Sequence, residues 1–487
     1  MAPPPAMQSP GELGTAAAAS RPHVMFIPSS GMGHLLPFFR VIAALANRDD
    51  VDISVVTVLP TVSAAEADHL AGLFETFPRI RRVDFQLLPL DASEFPGADP
   101  FLLRWEALRR SAHLFGPLIA GASPRVSAVV TDITLTSHVI PIVKELNVQC
   151  HVLFISCATM LSLVAYVPVH LDSKAANGDE VGPGVGDVDI PGVRRIPERC
   201  LPQPLLDLRN QLFTKQFIDN GREMVHADGF LLNTFDALEP VALAALRDGK
   251  VVAGFPPVYA VGPFNSHTWT TAAKQPAAAG SPEAWLDGQP AKSVVYVAFG
   301  NRIAVSREQL REIGAGLEAS GYPFLWVLKT TKVDREDDAE LGDVLGEGLL
   351  ERVRGRGVVT KGWVDQEALL RHPSVGMFLS HGGWNSVMEA VAAGVPLLAW
   401  PRMGDQRVNA TVVVSGGVGA WAEHWSWDGE DELVTGEEIG EKVKEVMSDE
   451  VVRARAARTG EEAAKAVAEG GTSYRSLEEF VGKLKAT

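Results

Sequence analysis

LSHGGWNSVMEAVAAGVPLLAWPRMGDQ, residues 379–406, ends one apolar run, crosses a turn rich in polar side chains, and closes a second apolar run on Asp405-Gln406. Just upstream, VGMFLS (375–380) shows no polar alternation, the mark of a strand buried on both faces. NSVMEAVAAG (385–394) has the period of a short helix stopped by Gly394, and VPLLAWP (395–401) is strand-like again. Buried strand, helix and buried strand are the repeating unit of a parallel sheet covered on both faces.

The turn His381-Gly382-Gly383-Trp384 faces the positive end of that helix, where free N–H groups and the helix dipole suit a phosphate. Asn385 and Ser386 add side-chain donors, although simple N-capping would also account for them. His381 is either a ligand to that anion or a packed turn histidine. Glu389, one turn further, is placed to accept two vicinal ribose hydroxyls or to lie solvated. Upstream, Trp363 offers an indole face for base stacking, worth ~1–3 kcal/mol, with Val364 and Gln366 beside it; an isolated Trp is more often core. Asp405 and Gln406 pair a carboxylate with an amide, a set that can hold several sugar hydroxyls.

The same alternation extends outward in both directions. HVMFIPS, VDISVVTVL, VDFQLLPL, AVVTDI and CHVLFIS are separated by helical periods before residue 172, and GFLLNTF and VYAVGP follow a Gly-rich acidic loop at 172–200. SVVYVAF (293–299) opens a second alternation. Ser306 with Gln309, and Thr435 with Glu438, read as capping boxes. The expected division is a loose tail at 1–20, a first domain at 21–263, a linker at 264–280, a second domain at 281–465, and a final helix at 466–487. Two doubly wound sheets place ligands at the carboxyl ends of strands, in the cleft between the halves.

Composition narrows the function. The chain has 487 residues and a net charge of −16, so nucleic acid and anionic membrane surfaces are disfavoured partners. No segment has the ~18 uncharged apolar residues of a membrane span. The three cysteines show no paired spacing. A cytoplasmic monomer acting on small molecules is the expectation.

At the other end, IPSSGMGHLLPF places Gly31, Gly33 and His34 where the first strand meets the first helix. GMGHLL lacks the third glycine of a dinucleotide fingerprint. A histidine at this strand end, facing a cleft, is a candidate general base, or else a packing residue of the helix start. AVVTDI ends in Asp132, which could orient such a base or cap the next helix.

Trp363, Gln366, His381-Gly382-Gly383-Trp384-Asn385-Ser386, Glu389 and Asp405-Gln406 together span 44 positions (406 − 363 + 1). In that spacing they resemble the nucleotide-sugar box of the plant UDP-dependent glycosyltransferases. NTFDALEP, WLDGQPAKSVVYVAFG and the chain beyond residue 20 share the likeness. The resemblance implies an α/β GT-B fold: two Rossmann-like doubly wound domains facing across a cleft, acceptor in the first and donor in the second, with the final helix returning to the first. It implies that Trp363 stacks on uracil beside Val364 and Gln366, and that Glu389 holds the ribose. His381, Asn385 and Ser386 bind the diphosphate, with Gly33 and Asn301 at its edge. Trp384, Asp405 and Gln406 hold the sugar, and the terminal Gln406 points to UDP-glucose as co-substrate with no cofactor. His34 aligns with the family's base. Asn301 departs from the family's usual serine.

Asp132-Ile133 reverses the order common in O-glycosylating relatives and is similar to that of relatives that glucosylate carbon. Residues 91–112, 185–197 and 422–429 look like the grass flavonoid C-glucosyltransferases acting on 2-hydroxyflavanones. The implied reaction is inverting transfer of glucose to a ring carbon of a flavonoid precursor, with an O-glucosyltransferase, or an enzyme doing both, as the alternative. A non-transferase nucleotide-binding protein is the remote alternative. No metal is expected; Asp50/Asp52 and Asp187/Asp189 read as solvated loop carboxylates. Phe101, Trp105, Phe154, Met160 and Tyr166 are candidate walls of the acceptor site.

Overall fold

Apolar runs that lack a solvent-facing side become two all-parallel sheets. This computed structural model describes residues 21–95, 100–178, 182–209, 213–264, 281–300, 305–329, 339–362, 364–425 and 432–485. Asn301, Trp363, the first twenty residues and 265–280 lie outside these, as does the side chain of Phe101.

The first sheet contains β1 (His23–Ile27), β2 (Asp52–Leu59), β3 (Arg81–Gln86), β4 (Ala128–Asp132) and β5 (Gln149–Phe154). After β6 (Val188–Ile190) and β7 (Arg194–Ile196), it is completed by β8 (Gly229–Leu232) and β9 (Val258–Ala260), in the order β3-β2-β1-β4-β5-β8-β9. The second sheet is built from β10 (Val294–Ala298), β11 (Phe324–Val327), β12 (Gly357–Thr360), β13 (Val375–Ser380), β14 (Leu397–Ala399) and β15 (Gly419–Trp421), ordered β12-β11-β10-β13-β14-β15. These are the two doubly wound units expected from the sequence.

β6 and β7 form an antiparallel hairpin where the sequence suggested only a loop. Pro191 and Gly192 make its turn: Gly192 has φ +73° and Val193 N–H returns to the Ile190 carbonyl at 3.0 Å, a type II arrangement. Val188, Ile190 and Ile196 bury their side chains beneath it. Strands of three residues carry too little periodicity to be read in advance.

One buried cluster runs from the first sheet into the second, including Met25, Phe154, Leu238, Val412 and Trp384. The outer face of each sheet has its own cluster. The last helix, Thr472–Lys485, crosses back to cover the first sheet. It buries Phe480, Val481 and Leu484 against residues such as Phe38 and Tyr259. Ser473 Oγ donates to the Gly262 carbonyl at 2.6 Å, and Glu478 and Lys485 pair with Arg48 and Asp50.

Both expected capping boxes form only their first half. Ser306 and Thr435 accept from the N–H groups of Gln309 and Glu438. The reciprocal side chains are taken elsewhere: Gln309 exchanges two hydrogen bonds with the Val434 backbone, and Glu438 meets His424 and Trp425.

Candidate active site

Each sheet reverses its direction of growth once, between β1 and β4 and between β10 and β13, and such switch points open crevices beyond the strand ends. His34 and Asp132 come from the first crevice, and Gly300 and His381 from the second.

His34 sits in the first turn of helix Met32–Ala46, whose N-cap Gly31 has φ +95°, a region that favours glycine. β1 and β4 are neighbours with Ile27 opposite Thr131, so their following loops touch. His34 Nδ1 donates to Asp132 Oδ2 at 2.9 Å. The other carboxylate oxygen accepts from the Thr134 N–H (2.9 Å) and hydroxyl (2.6 Å). Asp132 is fully buried. Burial alone would raise its pKa, but the His34 charge and the bonds from His34 and Thr134 outweigh it and hold the carboxyl below its ordinary value. With Nδ1 engaged, Nε2 is the basic nitrogen of His34.

His34 lines a cavity of about 250 Å³ with Leu102, Trp105, Ile133, Phe154, Met160, Phe213 and Phe217. Trp105 stands edge-on to His34 at 5.2 Å and stacks on Phe213 at 5.4 Å. Trp105, Phe154 and Met160 are therefore walls as expected, whereas Tyr166 is not among the lining residues. Phe213 and Phe217 went unrecognised because nothing in their local sequence separates a pocket aromatic from core. Asp405 closes the cavity from the second sheet.

In the second crevice a Cβ on Gly300 would stand 3.1 Å from the His381 ring, and Gly300 has φ +72°, so glycine is required there. Burial, reinforced by Arg402, lowers His381 to a pKa of about 4; it is neutral at pH 7 and acts as a hydrogen-bonding group rather than a cation. Helix Trp384–Ala393 starts beside it, capped by Gly383 without a side-chain bond. The capping alternative for Asn385 and Ser386 is thereby excluded. Asn385 Nδ2 donates across the cleft to the Gly33 carbonyl at 3.3 Å, and Ser386 Oγ accepts from Gln366 Nε2 at 3.1 Å.

Gln366 also donates to Glu389 Oε2 at 2.7 Å and accepts from the Tyr296 hydroxyl. It therefore braces the helix, where the resemblance suggested only proximity to the base. Val364 is partly buried against the core. Glu389 is not solvated: its Oε1 accepts from Arg40, a buried residue of the first helix. The Trp384 indole is buried, and its Nε1 donates to the Asn233 carbonyl of the opposite sheet at 2.8 Å.

Asp405 Oδ2 accepts from Ser156, at the end of β5, and from Asn409 Nδ2 at 3.0 Å. Gln406 Oε1 accepts from the N–H groups of Arg402 (2.8 Å) and Met403 (3.0 Å), so its amide nitrogen is the group left to bind a ligand. Sequence reasoning missed Arg40, Thr134, Ser156 and Asn409. Only Arg40 left a signal: it is the single charge within HLLPFFRVIAALA.

Among the described residues no group of three or more His, Cys, Asp or Glu could hold a metal ion. Asp50 is held by Arg48 and Lys485, and Asp187 by Arg195. Among the described residues no helix is long and apolar enough to cross a membrane.

Residues 241–458 match the family model described as UDP-glucoronosyl and UDP-glucosyl transferase. UDP-glycosyltransferase CGT of Oryza sativa subsp. indica is 60% identical over 464 residues, covering 95% of this chain and 96% of that protein. UDP-glycosyltransferase 708A6 of Zea mays is 55% identical over 470 residues, covering 96% and 97%. Among solved structures, LpCGTa in complex with UDP superposes with a TM-score of 0.83 at 47% identity, covering 96% of this chain and 99% of the other. Medicago truncatula UGT71G1 complexed with UDP-glucose gives 0.78 at 27% identity, covering 96% and 98%. Likeness of this extent, over a cleft built from two facing switch points, establishes that the chain belongs to the UDP-glycosyltransferase family, an enzyme of GT-B fold with a UDP-sugar as co-substrate.

Proposed function

We propose that the protein transfers glucose from UDP-glucose, with inversion, to an aromatic ring carbon of a flavonoid precursor, a 2-hydroxyflavanone or dihydrochalcone. The observation that carries this reading is the His34–Asp132 pair at 2.9 Å on the wall of an aromatic cavity that Asp405 closes from the donor side. Relatives named CGT, in rice and among the solved UDP complexes, support it. On this reading residues 21–263 form the acceptor domain, 281–465 the donor domain, and the final helix ties the second to the first. The enzyme works as a cytoplasmic monomer.

His34 Nε2 takes the phenolic proton, and Asp132 holds the ring in the required tautomer and stabilises the imidazolium. The phenolate raises electron density on the carbon between two hydroxyls. That carbon attacks C1 of glucose in line as the C1–oxygen bond to UDP breaks, and loss of the ring proton restores aromaticity. Charge developing on the diphosphate meets the N-terminus of helix Trp384–Ala393, with Asn385, Ser386 and neutral His381 as donors. Glu389 takes the ribose, Trp363 the uracil, and Asp405 with the Gln406 amide the sugar hydroxyls. The small cavity, near the lower end of the ~300–1,000 Å³ common for ligand sites, suits one phenolic ring against aromatic walls that include Trp105 and Phe154.

Incubation with UDP-glucose and a panel of 2-hydroxyflavanones and phloretin, followed by acid hydrolysis and mass spectrometry, tests the reading. An acid-stable glucoside that fragments within its sugar ring is expected. A product that returns to aglycone on hydrolysis would make the enzyme an O-glucosyltransferase and remove the carbon assignment.

A further inference from the structure

Arg40 is 3% exposed in the middle of an otherwise apolar helix of the acceptor-side sheet. Its Nη2 donates to Glu389 Oε1, and Glu367 Oε2 stands 3.8 Å from the same nitrogen. Glu367 is in turn paired with Arg371 at 2.6 Å. Removing Arg40 would leave Glu389 Oε1 without its donor and two largely buried carboxylates facing one remaining cation, a costly arrangement for buried charges. Arg40 is also not satisfied as a purely structural arginine would be: Nε and Nη1 are buried without a hydrogen-bond partner among the described residues. Glu389 is fixed from both sides, by Arg40 on Oε1 and Gln366 on Oε2.

We propose that Arg40 is a positioning residue for the donor's ribose: it holds the Glu389 carboxylate aimed, so that the ribose end of the donor site is completed by the acceptor-side sheet. This rests on the assignment of Glu389 to the ribose. Donor recognition then depends on the two sheets being closed on one another, and Arg40 is the link at the ribose end.

The test compares binding of UDP and 2′-deoxy-UDP, by calorimetry, to the wild-type enzyme and to the Arg40→Met, Arg40→Lys and Glu389→Gln variants. Wild type should prefer UDP by roughly tenfold, the factor associated with a hydrogen bond to a charged group. Arg40→Met should bring the ratio close to one, and Arg40→Lys, which keeps the charge but loses the planar fork, should give an intermediate ratio. A merely structural role would weaken both nucleotides equally, so an unchanged ratio in either folded Arg40 variant overturns the proposal. Glu389→Gln separates the two layers. A wild-type ratio there would sink the ribose assignment and this inference with it; a collapsed ratio there, with Arg40 variants like wild type, would sink the inference alone.

Discussion

At the scale of single residues, the base pair of the site is decided by tautomer and burial. Thr134 occupies one oxygen of Asp132, so the carboxylate has only Oδ2 for His34. Removing the imidazole by His34→Ala should lower kcat by roughly 10²–10⁴, the range of general base catalysis, while UDP affinity stays unchanged. Initial rates with UDP-glucose and phloretin, beside UDP titration, check this; full activity in the folded variant would end the assignment. Asp132 could be picked out in the sequence because it ends an apolar strand, and His34 because it follows the glycine turn between the first strand and the first helix. Arg40 was visible as an oddity, yet its purpose was not, because its partner Glu389 lies 349 positions away. A separation of 249 positions likewise hides Ser156, whose hydroxyl meets Asp405. Trp384 was legible as a motif position, but that its indole Nε1 donates to the Asn233 carbonyl was not.

At the scale of elements, local patterns predicted types well and partners poorly. The helices opened by Ser306 and Thr435 begin where capping chemistry places them, but Gln309 and Glu438 serve the neighbouring segment at 424–434 rather than their own first turn. The final helix is amphipathic in sequence, and its apolar face specifies only that something covers it. Phe480 is fully buried against His151 at 5.0 Å and Tyr259 at 5.8 Å. Phe480→Ala should therefore destabilise the protein by ~3–5 kcal/mol, the cost of emptying a large buried aromatic site. Urea unfolding would measure it, and a loss under about 1 kcal/mol would mean that the helix is not integral to the first sheet.

At the scale of the whole molecule, two histidines other than His34 carry a pH dependence. Burial, against a weaker pull from Asp228, lowers His151 to about 4, and burial with Arg402 lowers His381 to about 4. In the unfolded chain both titrate near 6.5. The folded state therefore binds fewer protons between pH 6.5 and 4, so stability is fully present above that window and is lost as pH falls through it, by up to ~1.4 kcal/mol per pH unit for each group. The urea midpoint should fall between pH 7 and pH 5, and His151→Gln should remove part of that slope; a slope unaltered by the substitution would show that His151 does not carry it. The sequence alone determined the two parallel sheets, the box from Trp363 to Gln406 and the polar residues at strand ends, because periodicity, turn chemistry and motif spacing are local properties of the chain. Only the tertiary structure decided that Arg40 faces Glu389, that Ser156 and Asn409 hold Asp405, and that Phe213 joins Trp105 around one cavity. The Arg40 and Ser156 contacts arise where two separately wound sheets close on each other, and the Phe213–Trp105 pair joins distant segments of the first half; no local pattern encodes which of these side chains meet.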